Sequence, residues 1–102
     1  MAGYEVIWTE PALMDLDAIA DFIALEDPLA AKRLVSRVFE HVESAADHPR
    51  IGKKLVDFPH LKHREIVEPP CRIFYRVHVR ERVVLVIHVM RAEQRLRIEQ
   101  LY

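Results

Sequence analysis

Cysteine and glycine are almost missing from this chain of 102 residues: Cys71 is the only cysteine, and Gly3 and Gly52 are the only glycines. A single cysteine excludes an internal disulfide and a cysteine-based zinc site, and it suits a reducing compartment. Two glycines cannot build a glycine-rich phosphate cradle. The six histidines, at positions 41, 48, 60, 63, 78 and 88, never form His-x-x-x-His. Neither a metal site nor any other cofactor is therefore expected. Ser36 and Ser44 are the only serines, and both fall inside a helical pattern with no nucleophile-elbow context.

An excess of one charge is missing too. Fifteen Lys and Arg oppose sixteen Asp and Glu, for a formal net charge of −1. Nothing global draws the chain to nucleic acid or to an anionic membrane, so direct DNA binding is not expected of it. Any such binding has to come from a local patch. The longest apolar run, Val83 to Met90, is interrupted by His88 and is far too short to span a bilayer. The opening Met1-Ala2-Gly3-Tyr4-Glu5 lacks the basic-then-apolar pattern of a secretion signal. A cytoplasmic protein without a membrane partner is the expectation.

What is present describes one folded domain over residues 1–102, with 51% hydrophobic and 30% charged residues. Tyr4 to Trp8 reads as a first strand, rich in aromatic and β-branched residues. Thr9-Glu10-Pro11 is a helix-start signal, followed by an apolar stripe at Leu13, Leu16, Ile19, Ala20 and Ile23. Asp27-Pro28 repeats the signal, and Ala31, Leu34, Val35, Val38, Val42 and Ala45 mark a second helix ending near Pro49. So short a link makes the two helices an antiparallel hairpin. Residues 50–59 read as a basic loop with at most one short strand. From Leu61 the period becomes two, giving strands at about Lys62–Val67, Cys71–Val79 and Val83–Met90. Ala92 to Tyr102 has the composition of a short terminal helix. The class is α+β: a β-α-α-β-β-β sandwich, with the helical hairpin packed on a mainly antiparallel sheet.

The chemistry on offer is cationic. Alternation puts Cys71, Ile73, Tyr75 and Val77 on one side of their strand and Arg72, Phe74, Arg76 and His78 on the other. The second half also carries Arg64, Arg80, Arg82, Arg91, Arg95 and Arg97 with Lys53, Lys54 and Lys62. For metal-free RNA cleavage, Arg72 or Arg91 would stabilise the phosphorane, and His78 or His88 would serve as acid or base. In the plainer reading, the arginines pair with Glu65, Glu68, Glu81, Glu93 and Glu99. His88 is then a hydrogen-bonded core histidine.

The ordered set Trp8-Thr9-Glu10-Pro11-Ala12, Asp15-Leu16, Asp27-Pro28, Pro49-Arg50-Ile51-Gly52, Arg64-Glu65-Ile66-Val67, Arg72-Ile73-Phe74-Tyr75-Arg76-Val77 and His88-Val89-Met90-Arg91 resembles the RelE/ParE superfamily of type II toxins. The resemblance runs nearly end to end. It implies the fold above and a small antitoxin partner, in a heteromeric complex of two plus two. RelE-like members cut messenger RNA on the ribosome with two lysines, two arginines and a late tyrosine. Arg72 and Arg91 match the arginines, but His63 and Glu65 stand at the lysine positions and Arg97 near the tyrosine. A glutamate for a lysine reverses the field at a phosphate, worth about 4 kcal/mol per unit charge at roughly 4 Å and an effective dielectric near 20. The sequence therefore looks ParE-like, which implies inhibition of DNA gyrase by binding. The target-binding candidates are Arg64, Arg72, Arg76, Arg91, Arg95 and Arg97. The alternatives are a ribosome-dependent endonuclease using Arg72, Arg91 and His88, or an inactive homologue that only binds antitoxin.

Overall fold

The computed structural model describes residues 3–102. Strand β1 (Glu5–Trp8) turns directly into helix α1 (Glu10–Ala24), and helix α2 (Pro28–Glu43) ends in a 3₁₀ turn at Ser44–Ala46. Strands β2 (Lys53–Lys54), β3 (Arg64–Glu68), β4 (Cys71–His78) and β5 (Val83–Arg91) follow. Both helix starts behave as their sequences indicate. The Thr9 hydroxyl accepts the Ala12 N–H at 3.3 Å, and the Asp27 carboxylate accepts the Ala30 N–H at 3.0 Å. Thr9 also donates to the Val86 carbonyl at 2.8 Å, which ties the start of α1 to β5.

The five strands form one sheet in the order β1-β5-β4-β3-β2. β1 runs parallel to β5, and the other pairs are antiparallel. The helical hairpin covers one face. Leu16, Leu34, Val38 and Val42 join Ile66, Ile73, Tyr75, Val84, Val86 and Val89 in the main core. The α1 stripe lies slightly rotated from the expected one: Ala12 is fully buried, whereas Leu13 is 38% exposed. Cys71 is buried, and burial pushes its thiol pKa up, so it packs as a small apolar residue.

The second face differs from the expected cationic surface. Phe74 and Met90 project there into a smaller core with Leu55, Leu96 and Leu101, bordered by Phe58 and Leu61. A bulge in β5 creates this arrangement. Phe74 pairs with His88 and Tyr75 with Val86, leaving Ile87 as the extra residue. Unbroken alternation would put His88 beside Val84 and Val86 under the helices. The bulge instead turns His88 and Met90 to the second face, and Val89 and Arg91 to the helical side.

The short terminal helix expected from the sequence is a single 3₁₀ turn at Ile98–Leu101. Leu101 is anchored by burial and by a hydrogen bond from His63 Nε2 to its carbonyl at 3.2 Å. Among the described residues no helix is long and apolar enough to cross a membrane.

Candidate functional site

Arg72 stands on the second face of β4, with its guanidinium 5.0 Å above the Phe74 ring. Its Nε donates to Glu65 Oε2 at 2.9 Å, and an Nη reaches both Glu65 and, at 3.1 Å, Asp57. Glu65 is itself buried, and its other oxygen lies 3.6 Å from Lys53 Nζ. Burial pulls the Arg72 pKa down, but the bonds to the two carboxylates more than offset this and leave it raised. Two cations thus meet two carboxylates. The cluster offers little net positive field to a phosphate, and Nε and one Nη of Arg72 are already committed to carboxylates.

His88 is held from the other side. Its Nδ1 lies 2.8 Å from Asp15 Oδ2, and the same oxygen accepts the Val89 N–H at 3.1 Å. The ring stacks on Phe74 with centroids 5.8 Å apart. In the neutral ring Nδ1–H donates to Asp15, which leaves Nε2 as the free lone pair. That atom is buried and has no partner. An aspartate-oriented imidazole has the form of a general base, but a base must reach its substrate. This one sits as a hydrogen-bonded histidine packed in the sheet.

The other candidates do not converge on Arg72. Arg91 lies opposite Cys71 and therefore faces the helical side, while Arg72 lies opposite Met90 on the second face. There Arg91 bonds Glu93 at 3.0 Å and stacks 4.8 Å above the Phe22 ring of α1. Arg76 shares the second face, and its Nε is buried without a partner. Arg95 lines a cleft with Asp15, His88 and Gln100. Arg97 lies before the terminal turn, where its N–H donates to Gln100 Oε1 at 2.9 Å. His63 is buried, and burial holds its pKa below the usual histidine range. Among the described residues no group of three or more His, Cys, Asp or Glu side chains is placed to hold a metal.

Arg64 belongs to a different place. Its Nη1 donates to the Gly52 carbonyl at 2.7 Å, and it lines a groove of about 790 Å³ with Arg50, Lys54 and Lys62. Buried Tyr75 fixes that rim by accepting the Gly52 N–H at 2.9 Å and donating to the Pro49 carbonyl at 2.7 Å. The sequence shows a basic loop at residues 50–55. That the loop closes against Arg64 depends on Tyr75, whose hydroxyl crosses more than twenty residues of chain to reach it.

Comparison with known proteins supplies the family. The model of the ParE toxin of type II toxin–antitoxin system, parDE, matches residues 6–96. The chain belongs to this family of type II toxins. It is 33% identical over 88 residues to the toxin RelE2 of Caulobacter vibrioides, covering 86% of this chain and 94% of that protein. The chromosomal ParDE system from P. aeruginosa is similar in structure, with TM-score 0.71 and 24% identity over 88% of this chain and 97% of that one. A chain of the intact E. coli RelBE toxin–antitoxin complex is also similar, with TM-score 0.53 and 26% identity over 89% of this chain and 99% of that one. Both RelE and ParE names therefore occur among the relatives. Membership of the family gives the toxin component of a type II toxin–antitoxin module and leaves the target to be argued from the site.

Proposed function

We propose that this toxin stops its target by binding and not by cutting RNA, that the target is DNA gyrase, and that a cognate antitoxin holds it inactive. The observation that carries the binding reading is the closed Arg72–Glu65–Asp57 cluster, in which the arginine needed for RNA cleavage is neutralised by carboxylates. Arg91 on the opposite face and the covered His88 Nε2 support it further. Gyrase enters only through the ParE-like resemblance of the sequence, and the antitoxin through the toxin–antitoxin family description and the likeness to the RelBE complex. A heteromer of two toxins and two antitoxins is the assembly this reading implies. The target-binding candidates then reduce to cations free of carboxylates, with Arg64 foremost.

A second reading, a ribosome-dependent messenger RNA endonuclease, is favoured by the relatives' names, which weigh towards RelE more than towards ParE. It requires Arg72 to exchange Glu65 for a phosphate and Arg91 to act from across the sheet. An inactive homologue that only binds antitoxin is the third reading. Toeprinting of messenger RNA on ribosomes with antitoxin-free protein separates them. The binding reading expects growth arrest on expression without cleavage at the ribosomal A site. Cleavage that disappears in Arg72→Ala would establish the endonuclease, and expression without any growth defect would establish the inactive homologue.

A further inference from the structure

The groove at Arg64 has the properties of an anion site. It lies between the 47–51 loop and strands β2, β3 and β4, and Arg50, Lys54, Lys62 and Arg64 line it against one acid, Asp47. Among the described residues none of these four cations makes an ion pair, whereas Lys53, Arg37, Arg72 and Arg91 all do. Lys54 stands directly opposite Arg64 in the β2–β3 register. Like charges in facing positions destabilise an antiparallel pair, so this placement costs stability unless an anion lies between them. The Arg64 guanidinium is aimed by a neutral carbonyl, which fixes its direction and leaves its charge uncompensated.

We propose that this groove binds a single strand of nucleic acid through its phosphates. Tyr4, Val77 and Val79 share the lining, and the Tyr4 ring, which packs against the main core, already carries the Arg82 guanidinium 4.9 Å over it. The groove therefore offers a row of cations without ion pairs in an open concavity, which suits the successive phosphates of a single strand. An acidic peptide that displaced the strand at equal concentration would overturn this choice. A lipid surface would need apolar side chains protruding around the cations, not lining a concavity among them. The near-zero net charge does not oppose the site, because fields from distant acids are screened within about 10 Å at 0.1 M salt. Both gyrase and the ribosome present nucleic acid, so the proposal goes beyond the choice between them.

The test uses the purified full chain, with neither gyrase nor ribosome, and short fluorescein-labelled single-stranded RNA and DNA followed by anisotropy. Its outcome is therefore separate from that of the target reading. Saturable binding is expected, weakening with salt at a log–log slope of about −2.8 if four phosphates are neutralised. Lys54→Ser combined with Lys62→Ser should weaken binding at least about tenfold and reduce the slope by about 1.4. Both lysines are exposed and without ion pairs, so the double variant should keep the circular dichroism of the parent and melt no lower, relieved of the Lys54–Arg64 repulsion. Lys32→Ser, on exposed α2 surface, should bind as the parent does. No saturable binding at about 50 mM salt, or an unchanged slope in the double variant, would overturn the proposal. Equal affinity for a free mononucleotide would also overturn it, since the site would then belong to a small ligand.

Discussion

Arg72 on β4 and Glu65 on β3 meet diagonally, since Glu65 stands opposite Phe74 and Arg72 opposite Val67, with a guanidinium Nε to carboxylate distance of 2.9 Å, and Glu65 is only 4% exposed. A carboxylate so deeply placed depends on its partner. Arg72→Ala should cost about 3 kcal/mol in chemical denaturation, the lower end for breaking a buried pair, because the buried carboxylate keeps only Lys53 at 3.6 Å. Replacing both together, Glu65→Leu with Arg72→Met, should cost far less than the sum of the single changes. Additive costs would show that the pair is not coupled.

His63 makes the fold sensitive to acid. Burial is the main reason that its pKa lies below 6.5, and the nearby Arg76 charge lowers it further, while the bond to Leu101 raises it. A histidine with a depressed folded pKa binds its proton more readily when unfolded. The stability it contributes is therefore complete above about pH 6.5, and falls as pH drops through the lower folded value. Melting temperature should decline as pH falls below about 6.5, and His63→Gln should flatten the decline. A parent and variant with parallel profiles would assign the acid sensitivity elsewhere.

Gly52 has no room for a side chain. A Cβ there would lie 2.6 Å from the Glu65 carbonyl oxygen and 2.8 Å from the Tyr75 ring. Because the first obstacle is backbone, Gly52→Ala should destabilise by about 2–3 kcal/mol, at the upper end of overpacking costs. It should also loosen the rim that Arg64 holds. Denaturation measures the first effect, and amide exchange at residues 49–52 the second.

The second core depends on the chain's end. Leu101 is fully buried against Phe74, Met90 and Leu96. Leu101→Ala should cost about 2–3 kcal/mol, the lower part of the range for leucine truncation, since a terminal segment can partly collapse into the space. A loss below about 0.5 kcal/mol, the size of a surface substitution, would mean that the segment does not pack stably.

Most of the fold was legible in the residues because its signals are local. Thr9 and Asp27 cap their helices, the α2 stripe is buried as spaced, and β3 to β5 follow the period-two pattern. The candidate site was less legible because it turns on one inserted residue and on long-range pairing. The bulge at Ile87 reverses the faces of His88 and Arg91, and no composition or spacing marks it. Alternation placed Phe74 on an arginine face correctly, but its cover comes from Leu55 in the basic loop and from Leu96 and Leu101 in the terminal segment, and no local pattern ties either to that face. The pairing of arginines with Glu65 and Glu93 agrees with the plainer of the two sequence readings.

The central claim is inhibition by binding, and a gyrase supercoiling assay with antitoxin-free toxin tests it most directly. The account predicts loss of supercoiling at micromolar toxin, restored by stoichiometric antitoxin, with messenger RNA on ribosomes left intact. Unimpaired supercoiling together with A-site cleavage of messenger RNA would contradict it.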